Sequence, residues 1–354
     1  MADARGSCSR IVNVEIVMPS ISCKRLTGHR LVEGFGRPHR GFFSGTNPYV
    51  GWAENWYYDV ERSLLMDSKG CIIRESVNAS VRPPAAVEDR RERLNSAGVI
   101  SGPATVLRTQ RENFYHTMVD NLPRMFLLET AGLGGELDIL VPEPMNPAEE
   151  YWLPRLMPQG ARIRRINGTP ACRRIENLVY ASPFTTRFRG VLPRKYTAKL
   201  HDAAYGGTAK PRARRRRLLI SRSEAAIGGR RILNEDELLE ALFPWRFERC
   251  ILENISIPEQ VKLFRNAEMI VGAHGAGLAN MLFLEEKAAI LELFPGNYII
   301  PHYFFLAESL GMEYHFAFPM ENRGQSMTSS KTDRNSDFAT DIDTVLRHVR
   351  TILD

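Results

Sequence analysis

Residues 257–283 read IPEQVKLFRNAEMIVGAHGAGLANMLF, and this stretch decides the fold. Its first part spaces apolar side chains along one face of a helix that begins with a capping-box pattern. The apolar run 269–273 then predicts a buried strand, and the small residues after it predict a tight turn into a second helix, 277–283. A buried strand that leads through a glycine-rich turn into a helix is typical of a doubly wound α/β domain.

Strands and helices alternate on both sides of this stretch. In the C-terminal half, strands are predicted at 217–220, 247–252, 269–273, 288–294 and 313–318. Helices are predicted between them at 234–243, 256–267, 277–283 and 298–310, and the first of these also has a capping-box pattern, Asn234 with Glu237. This alternation predicts a parallel sheet covered by helices. The terminal helix, predicted at 341–353, is a candidate to cross back onto the N-terminal half.

The N-terminal half alternates less regularly. Strands are predicted at 11–17, 98–107, 137–141, 161–166 and 176–181, with a hairpin within 56–73 and helices at 113–131 and 148–157. Residues 205–213, YGGTAKPRA, contain two glycines and a proline and predict a linker. The chain is therefore predicted to hold two α/β domains, 1–208 and 209–354.

Composition limits the class of protein. Of the 354 residues, 44% are hydrophobic and 25% are charged, which is enough apolar material for two globular cores. The apolar runs are too short to cross a bilayer and the start of the chain is polar, so a cytoplasmic protein is expected, with peripheral membrane association left open. Five scattered cysteines without a CxxC pair argue against a disulfide scaffold and against a zinc site.

The net charge of +6 favours a partner that carries phosphate, whether a nucleotide, a nucleic acid or an anionic membrane. Four consecutive arginines at 214–217 would suit a nucleic acid, yet no aromatic platform or known nucleic-acid motif accompanies them. We interpret the run as a solvated approach to a strand and expect no nucleic-acid partner.

The glycine-rich turn is the first candidate site. Small residues let the backbone come close to a ligand, and the N–H groups at a helix N-terminus favour a phosphate. The alternative is a tight turn whose glycines only relieve crowding. The candidate residues are His274, Gly275, Ala276, Gly277 and, one turn further on, Asn280.

Three charged residues complete this candidate site. Arg222 follows the first strand of the C-terminal half, so it would lie at the same sheet edge as the turn, and Arg231 lies just before a helix. A guanidinium holds two phosphate oxygens at once, although most surface arginines are only solvated. Glu292 sits among apolar neighbours at a strand end, where ribose hydroxyls would give a buried carboxylate its partner. The alternative for Glu292 is the solvent-facing side of an edge strand.

A second candidate site lies in the N-terminal half. His116 and Asp120 are four residues apart and share one helix face, so they form a candidate pair for removing a proton from a hydroxyl. The alternative is an ordinary polar stripe on an amphipathic helix. No cluster has the spacing of metal ligands, and Asp341 with Asp343 is better explained as the cap of the last helix. We therefore expect no metal and no other cofactor.

Several of these motifs together resemble the family 61 glycosyltransferases. The matching stretches are NFYHTMVDNLPR (113–124), ISR (220–222), RILNEDEL (231–238), residues 257–283 and ILELFP (290–295). The resemblance implies a GT-B-like fold, in which two Rossmann-type domains face a cleft. It also implies an inverting transfer of a sugar from a nucleotide sugar, most commonly a UDP-sugar, to a hydroxyl of a glycan or a lipid-linked glycan.

The resemblance also implies roles for individual residues. The turn from His274 to Gly277, with Asn280, would bind the donor diphosphate, Arg222 and Arg231 would neutralise it, and Glu292 would hold the ribose. His116 and Asp120 would lie near the acceptor, with Asp120 as the favoured general base. Relatives in eukaryotes carry a membrane anchor or signal that is not seen here, so we expect an enzyme of surface or capsular polysaccharide synthesis.

Three other functions were weighed. A catalytically degenerate module that only binds a nucleotide sugar would keep the glycine-rich turn and leave the His116–Asp120 pair idle. A dinucleotide-dependent oxidoreductase or epimerase would need an early G-x-G-x-x-G motif, which the sequence lacks. A nucleic-acid binder would rest on the basic charge and the arginine run alone.

Overall fold

The computed structural model describes residues 1–16, 48–76, 87–109, 112–184, 190–206, 215–223, 229–285, 287–296, 299–319 and 336–354. These residues form two compact units, of which the first runs to Lys199 and the second begins at Leu200. The predicted boundary between residues 208 and 209 lies outside the described residues. None of the helices in the described ranges is long and apolar enough to cross a lipid bilayer.

The first unit is built on a mixed sheet. Its strands are β1 (Arg10–Asn13), β2 (Tyr49–Asp59), β3 (Leu64–Met66), β4 (Gly98–Val106), β5 (Asp138–Pro142), β6 (Arg162–Ile166) and β7 (Cys172–Ala181). They are ordered β1-β2-β7-β4-β5-β6, with β3 paired to β2. Strands β7, β4, β5 and β6 are parallel, and the others are antiparallel to their neighbours. The parallel part confirms the four strands predicted between residues 98 and 181.

Helices cover this sheet. They are α1 (Ala4–Ser7), α2 (Val87–Asn95), a π-helix (His116–Asn121), α3 (Leu122–Thr130), α4 (Pro147–Leu156) and the first half of α5 (Arg194–Tyr205), which continues into the second unit after Lys199. A short 3₁₀ turn covers Arg74–Ser76. The helix predicted at 113–131 is thus a π-helix followed by an α-helix. Pro123 lies in the first turn of the α-helical part, which directly continues the π-helix. The helices α2 and α5 were not predicted.

A buried ion pair fixes the loop that follows β4. Arg108 and Glu149 are 4% and 0% exposed, and Nε of Arg108 donates to Glu149 Oε1 at 2.6 Å. Arg108 Nη2 donates to the other carboxylate oxygen and to the Pro144 carbonyl. The same carboxylate accepts from the backbone N–H of Asn146 and so completes the capping box of α4. One side-chain pair therefore joins the end of β4 to the start of α4.

Replacing Glu149 with glutamine is expected to destabilise the first unit by about 3–5 kcal/mol, because the buried guanidinium of Arg108 would lose its buried counter-charge and keep only Glu112, which is 46% exposed. The urea midpoint of unfolding, followed by circular dichroism, measures this loss. Glu150→Gln on the same helix is the control, since that carboxylate is exposed and lies 3.8 Å from Arg165. We expect the control to shift stability by less than about 0.5 kcal/mol. Equal midpoints for the two variants would contradict the role of the ion pair.

The second unit is built on a parallel sheet. Its strands are β8 (Arg216–Ser221), β9 (Phe247–Ile251), β10 (Ala267–Ala273), β11 (Ala289–Leu293) and β12 (Glu313–Ala317). Their order is β12-β11-β10-β8-β9, and every pair in it is parallel. This is the order of a doubly wound sheet, and it confirms the five predicted strands. Together the two units are α/β structures consistent with two Rossmann-like domains.

The helices of this unit are α6 (Glu235–Ala241), α7 (Ile257–Arg265), α8 (His302–Leu310) and α9 (Ile342–Leu353), with 3₁₀ helices at Phe243–Trp245, Leu252–Asn254 and Ala276–Phe283. The capping box predicted at Ser256 and Glu259 is confirmed. The one predicted at Asn234 is wrong, because the Asn234 side chain makes no cap and instead exchanges two hydrogen bonds with the backbone of Thr340.

The C-terminal helix α9 packs on its own unit. Val345 and Val349 are fully buried in a cluster with Leu219, Leu238 and Leu291, which come from β8, α6 and β11. Asp341 caps the helix by accepting from the Thr344 N–H, as predicted. The expectation that this helix crosses back is wrong for its apolar face, because that face is occupied by the sheet of the second unit.

Candidate functional site

The strand order of the second unit defines a switch point. Strands β8 and β10 lie side by side, and the chain leaves them toward opposite edges of the sheet. Open α/β sheets bind ligands in the crevice outside the carboxyl ends of the strands at such a point. Arg222 directly follows β8, and His274 directly follows β10. Two of the predicted residues thus stand on either side of the switch point.

Arg222 packs against the glycine-rich turn. A Cβ atom added to Gly275 would lie 2.0 Å from Arg222 Nη1 and 3.0 Å from its Cζ. Gly275 has a φ of 179°, an extended conformation open to any residue, so a larger residue there would have to displace the Arg222 guanidinium. The Arg222 Nε donates to the carbonyl of Gly229 at 3.3 Å. Burial, followed by the charge of Arg230, lowers the pKa of the Arg222 guanidinium.

The other glycines of this region serve packing. A Cβ on Gly277 would lie 2.6 Å from Leu252 Cδ1, and a Cβ on Gly272 would lie 3.1 Å from Ile220 Cβ. At these two positions the glycines relieve crowding, which is the alternative that the sequence analysis left open for the turn. The segment predicted as a helix at 277–283 is a 3₁₀ helix that begins at Ala276, so the N–H groups of its first residues point out of its N-terminus.

Asn280 faces the interior of the unit. It is 1% exposed, and its Nδ2 donates to Gln260 Oε1 and to the Gly277 carbonyl, both at 3.1 Å. The amide thus joins the 3₁₀ helix to α7. The structure gives Asn280 a role in holding the turn, and its predicted contact with a donor stays a prediction.

His274 is held by a buried carboxylate. Its Nδ1 pairs with Oε1 of Glu292, and the other oxygen of Glu292 accepts from the Tyr314 hydroxyl. Glu292 is 0% exposed on β11, an inner strand, so the alternative of a solvent-facing edge position is wrong. Burial and then Glu292 raise the pKa of Tyr314 well above its ordinary value, so Tyr314 remains a hydrogen-bond donor. His274 and Tyr314 supply the partners that a buried carboxylate requires.

Aromatic rings fix the orientation of His274 further. The imidazole stacks on Phe294, with centroids 5.7 Å apart and an interplanar angle of 19°. Tyr303 meets it edge-on at 5.4 Å and donates its hydroxyl proton to the Gly275 carbonyl. The ring and the turn backbone are therefore positioned by the same side chain. Preorganisation of this kind is what a site for a charged ligand requires.

Arg231 is bound to the carboxylate of Asp337. Its backbone N–H donates to Asp337 Oδ1 at 2.9 Å, and its Nε donates to Asp337 Oδ2 at 3.0 Å. Phe338 donates its backbone N–H to the Arg231 carbonyl. Arg231 thus holds the segment that precedes α9, and its predicted contact with a diphosphate stays a prediction. Arg230, Tyr303, Glu253 and Asp337 all act electrostatically on Arg222, and the sequence analysis selected none of these four residues.

The first unit contains the predicted His–Asp pair. His116 Nδ1 lies 2.5 Å from Asp120 Oδ2, and the two side chains are 14% and 12% exposed. The pair lies on the π-helix, whose wider turn is closed by a hydrogen bond from Leu122 N–H to the Thr117 carbonyl. Insertions of this kind occur frequently at functional sites. The predicted proximity of His116 and Asp120 is confirmed, and their catalytic role stays a prediction.

The pairing assigns different tasks to the two side chains. The carboxylate of Asp120 engages Nδ1 of His116 and thereby fixes the orientation of the imidazole ring. The backbone N–H of His116 donates to Asn113 Oδ1, which fixes the start of this turn. Such an arrangement is able to take a proton from a hydroxyl and to stabilise the resulting imidazolium.

Arg124, on the same helical segment, turns into the core. It is 1% exposed and donates to the carbonyls of Ala181, Val106 and Leu107 and to the Thr109 hydroxyl. It therefore fastens the helix to the carboxyl ends of β4 and β7. This role was not predicted, because a charged residue within a polar helical stretch is usually exposed.

Three further features of the sequence are the arginine run, the cysteines and the possible metal ligands. The arginine run was predicted to be a solvated approach to a strand, but Arg216 and Arg217 already belong to β8, where they pair with Glu248 and Glu268. The described cysteines, Cys8, Cys71, Cys172 and Cys250, are free thiols. Within the described ranges, no group of three or more His, Cys, Asp or Glu side chains could hold a metal ion.

A doubly wound parallel sheet with a glycine-rich turn at its switch point is the architecture of a Rossmann-like α/β domain. The chain matches the family model of glycosyltransferase 61 over residues 114–291, half of its length, and it belongs to that family. This confirms the identification made from the motifs. The matched range includes the His116–Asp120 pair, Arg222 and the whole glycine-rich turn.

The chain is also similar to curated glycosyltransferases. It is 30% identical over 98 residues to a beta-1,2-xylosyltransferase of Arabidopsis thaliana, an alignment that covers 24% of this chain and 18% of the relative. It is 28% identical over 215 residues to the beta-1,2-xylosyltransferase XAX1 of Oryza sativa, covering 52% and 36%. A third relative is protein O-linked-mannose beta-1,4-N-acetylglucosaminyltransferase 2 of Bos taurus, with 42% identity over 89 residues, covering 24% and 15%. The chain thus spans well under half the length of each of these relatives.

Proposed function

We propose that this chain is an inverting glycosyltransferase that moves a sugar from a nucleoside diphosphate to a hydroxyl of a glycan or glycoconjugate. The observation that carries the proposal is the Arg222 guanidinium packed against Gly275 at the switch point of the second unit. A cation beside a close-approaching backbone and a helix N-terminus suits a phosphate group. Family membership supports sugar transfer as the reaction.

In this proposal the second unit binds the donor. Arg222 and the backbone of the turn hold the diphosphate, and His274 donates a further hydrogen bond to it. We assign Glu292 a positioning role for His274, which revises the expectation that it holds the ribose, because its carboxylate engages Nδ1 and is itself held by Tyr314. Guanidinium charge stabilises the departing diphosphate, so we propose that transfer needs no divalent metal. A uridine diphosphate sugar is the proposed donor.

The first unit removes the acceptor proton. We assign the general base to His116 Nε2 and an orienting role to Asp120, which revises the expectation that Asp120 is the base. The acceptor hydroxyl passes its proton to Nε2, and its oxygen attacks the anomeric carbon of the donor. The bond between that carbon and the phosphate oxygen breaks, and the nucleoside diphosphate leaves with its electron pair. A single displacement of this kind inverts the anomeric configuration.

A thermal-shift screen of the purified chain against UDP, GDP, CMP, dTDP and their sugars, with EDTA present, tests the proposal. We expect one nucleotide class, led by UDP, to raise the melting temperature, and its sugar to be consumed when a glycan acceptor is added. Binding without transfer or hydrolysis across many acceptors would support a nucleotide-sugar-binding module instead. No shift with any nucleotide at saturating concentration would contradict the donor site. A role in surface polysaccharide synthesis stays a prediction.

Gly275→Ala is expected to weaken nucleotide binding by about 1.5–3 kcal/mol, roughly 10-fold to 100-fold, because the new Cβ displaces the Arg222 guanidinium. Calorimetric titration measures the dissociation constant. Gly272→Ala is the control, since its Cβ would crowd Ile220 instead of the arginine. The control is expected to lose stability while keeping its nucleotide affinity. Unchanged affinity in the Gly275 variant would remove this contact from the site.

A further inference from the structure

Two histidines meet where the C-terminal helix packs beside the edge of the second sheet. His315 lies on β12, the edge strand, and His348 lies on α9. Their Nδ1 atoms are 3.3 Å apart, and the rings meet at an interplanar angle of 69° with centroids 5.3 Å apart. Both residues are half-buried, so a small ion can reach the pair from solvent.

A carboxylate fixes the position of the proton on His315. Glu313 lies two residues earlier on the same face of β12, and its Oε1 is 2.8 Å from His315 Nε2. Because a carboxylate accepts hydrogen bonds, this contact places the proton of the neutral imidazole on Nε2 and leaves the lone pair on Nδ1. His315 therefore presents a lone pair toward His348. A carboxylate on the far nitrogen is also the usual partner of a metal-binding histidine.

The separation of the two Nδ1 atoms has two explanations. In the first, His348 donates a proton to His315 through a hydrogen bond that is long by ordinary standards. In the second, both nitrogens bind the same ion. Zinc binds imidazole nitrogen at about 2.0–2.1 Å with tetrahedral geometry, which sets two such nitrogens about 3.3–3.4 Å apart. The observed 3.3 Å matches that separation.

We propose that His315 and His348 together bind a divalent transition-metal ion such as Zn²⁺, because imidazole nitrogens favour ions of this class. Glu313 orients His315 and is not itself a ligand, since it bonds the opposite nitrogen of the ring. Only two ligands come from the chain, and water completes the coordination. The ion joins α9 to β12 and stabilises the folded second unit, because folding brings the two ligands together.

This metal site is separate from the proposed donor site. Successive residues of a strand face opposite sides of the sheet, and Tyr314 turns its hydroxyl to Glu292. His315 therefore lies on the other face, where Ala317 packs in the same apolar cluster as α9. The ion takes no part in sugar transfer, so the proposal stands or fails independently of the proposed function.

Calorimetric titration of the metal-free full chain with ZnCl₂ tests the proposal. We expect the wild type to bind one zinc ion more than His315→Gln or His348→Gln binds, and we expect that ion to raise the melting temperature of the wild type only. Glu313→Gln keeps both ligands and is expected to bind zinc about 10-fold to 100-fold more weakly. His201→Gln is the control and is expected to match the wild type, since His201 Nε2 bonds to the Leu282 carbonyl at 2.7 Å.

A crystal of the chain soaked in ZnCl₂ gives a measurement that does not depend on variants. We expect an anomalous peak at the zinc absorption edge, about 2.0–2.1 Å from both Nδ1 atoms. A crystal without that peak would overturn the proposal. So would equal zinc binding by the wild type and both glutamine variants, and the contact between His315 and His348 would then be a hydrogen bond alone.

Discussion

Arg222→Ala is expected to weaken nucleoside diphosphate binding by about 2–4 kcal/mol, roughly 30-fold to 1000-fold, and to reduce transfer in proportion. The loss follows from the position of the guanidinium, which lies against Gly275 where the carboxyl ends of β8 and β10 meet. A charged hydrogen bond in such a half-buried crevice is stronger than one at an open surface. Calorimetric titration of the variant with UDP, without divalent metal, measures the effect.

Arg216→Ala, at the opposite end of β8 from Arg222, is the control for this prediction. Arg216 lies at the start of β8, is 42% exposed and pairs with Glu248. Its removal is expected to change UDP affinity by less than about 2-fold, because exposed ion pairs contribute little. If Arg222→Ala bound UDP as tightly as this control does, the diphosphate site would not be at the switch point.

His116→Gln is expected to lower kcat of transfer by about 100-fold to 10,000-fold while leaving the dissociation constant of the donor unchanged. Glutamine keeps a polar side chain but cannot take up the acceptor proton. Asp120→Asn is expected to slow transfer as well, because the Nδ1–H of His116 would lose the carboxylate that orients it. Steady-state kinetics with a saturating donor, together with donor titration, separates the two constants.

The double variant gives a stricter test of this pair. Residues that act as one unit have non-additive effects, so His116→Gln combined with Asp120→Asn is expected to be hardly slower than His116→Gln alone. His348→Gln, a histidine change on α9, controls for general effects and is expected to keep full activity. Full activity in His116→Gln would show that the base lies elsewhere. If His116→Gln were fully active while Asp120→Asn transferred slowly, the role of general base would return to Asp120.

Local sequence patterns predicted much of the second unit. Its five strands follow from the alternation of apolar runs with capped helices, and a parallel sheet leaves little freedom in placing them. The His116–Asp120 contact likewise follows from a spacing of four residues on one helix. The proximity of Arg222 to the turn required only that parallel strands end at the same edge of the sheet.

The features that the sequence did not predict depend on contacts between residues that are distant along the chain. Asn234 and Arg231 both bond to the segment 337–340, about a hundred residues away, and nothing near them in sequence indicates this. Glu292 finds Tyr314 on a neighbouring strand, which explains a buried carboxylate without a ligand.

The central claim is that the switch point of the second unit recognises the diphosphate of a donor. Its most direct test is a calorimetric comparison of UDP, UMP and uridine binding to the wild-type chain in the presence of EDTA. The account predicts that affinity falls with each phosphate removed and that UDP binds at least about 100-fold more tightly than uridine. Equal affinity for UDP and uridine, or binding that appears only when a divalent metal is added, would contradict it.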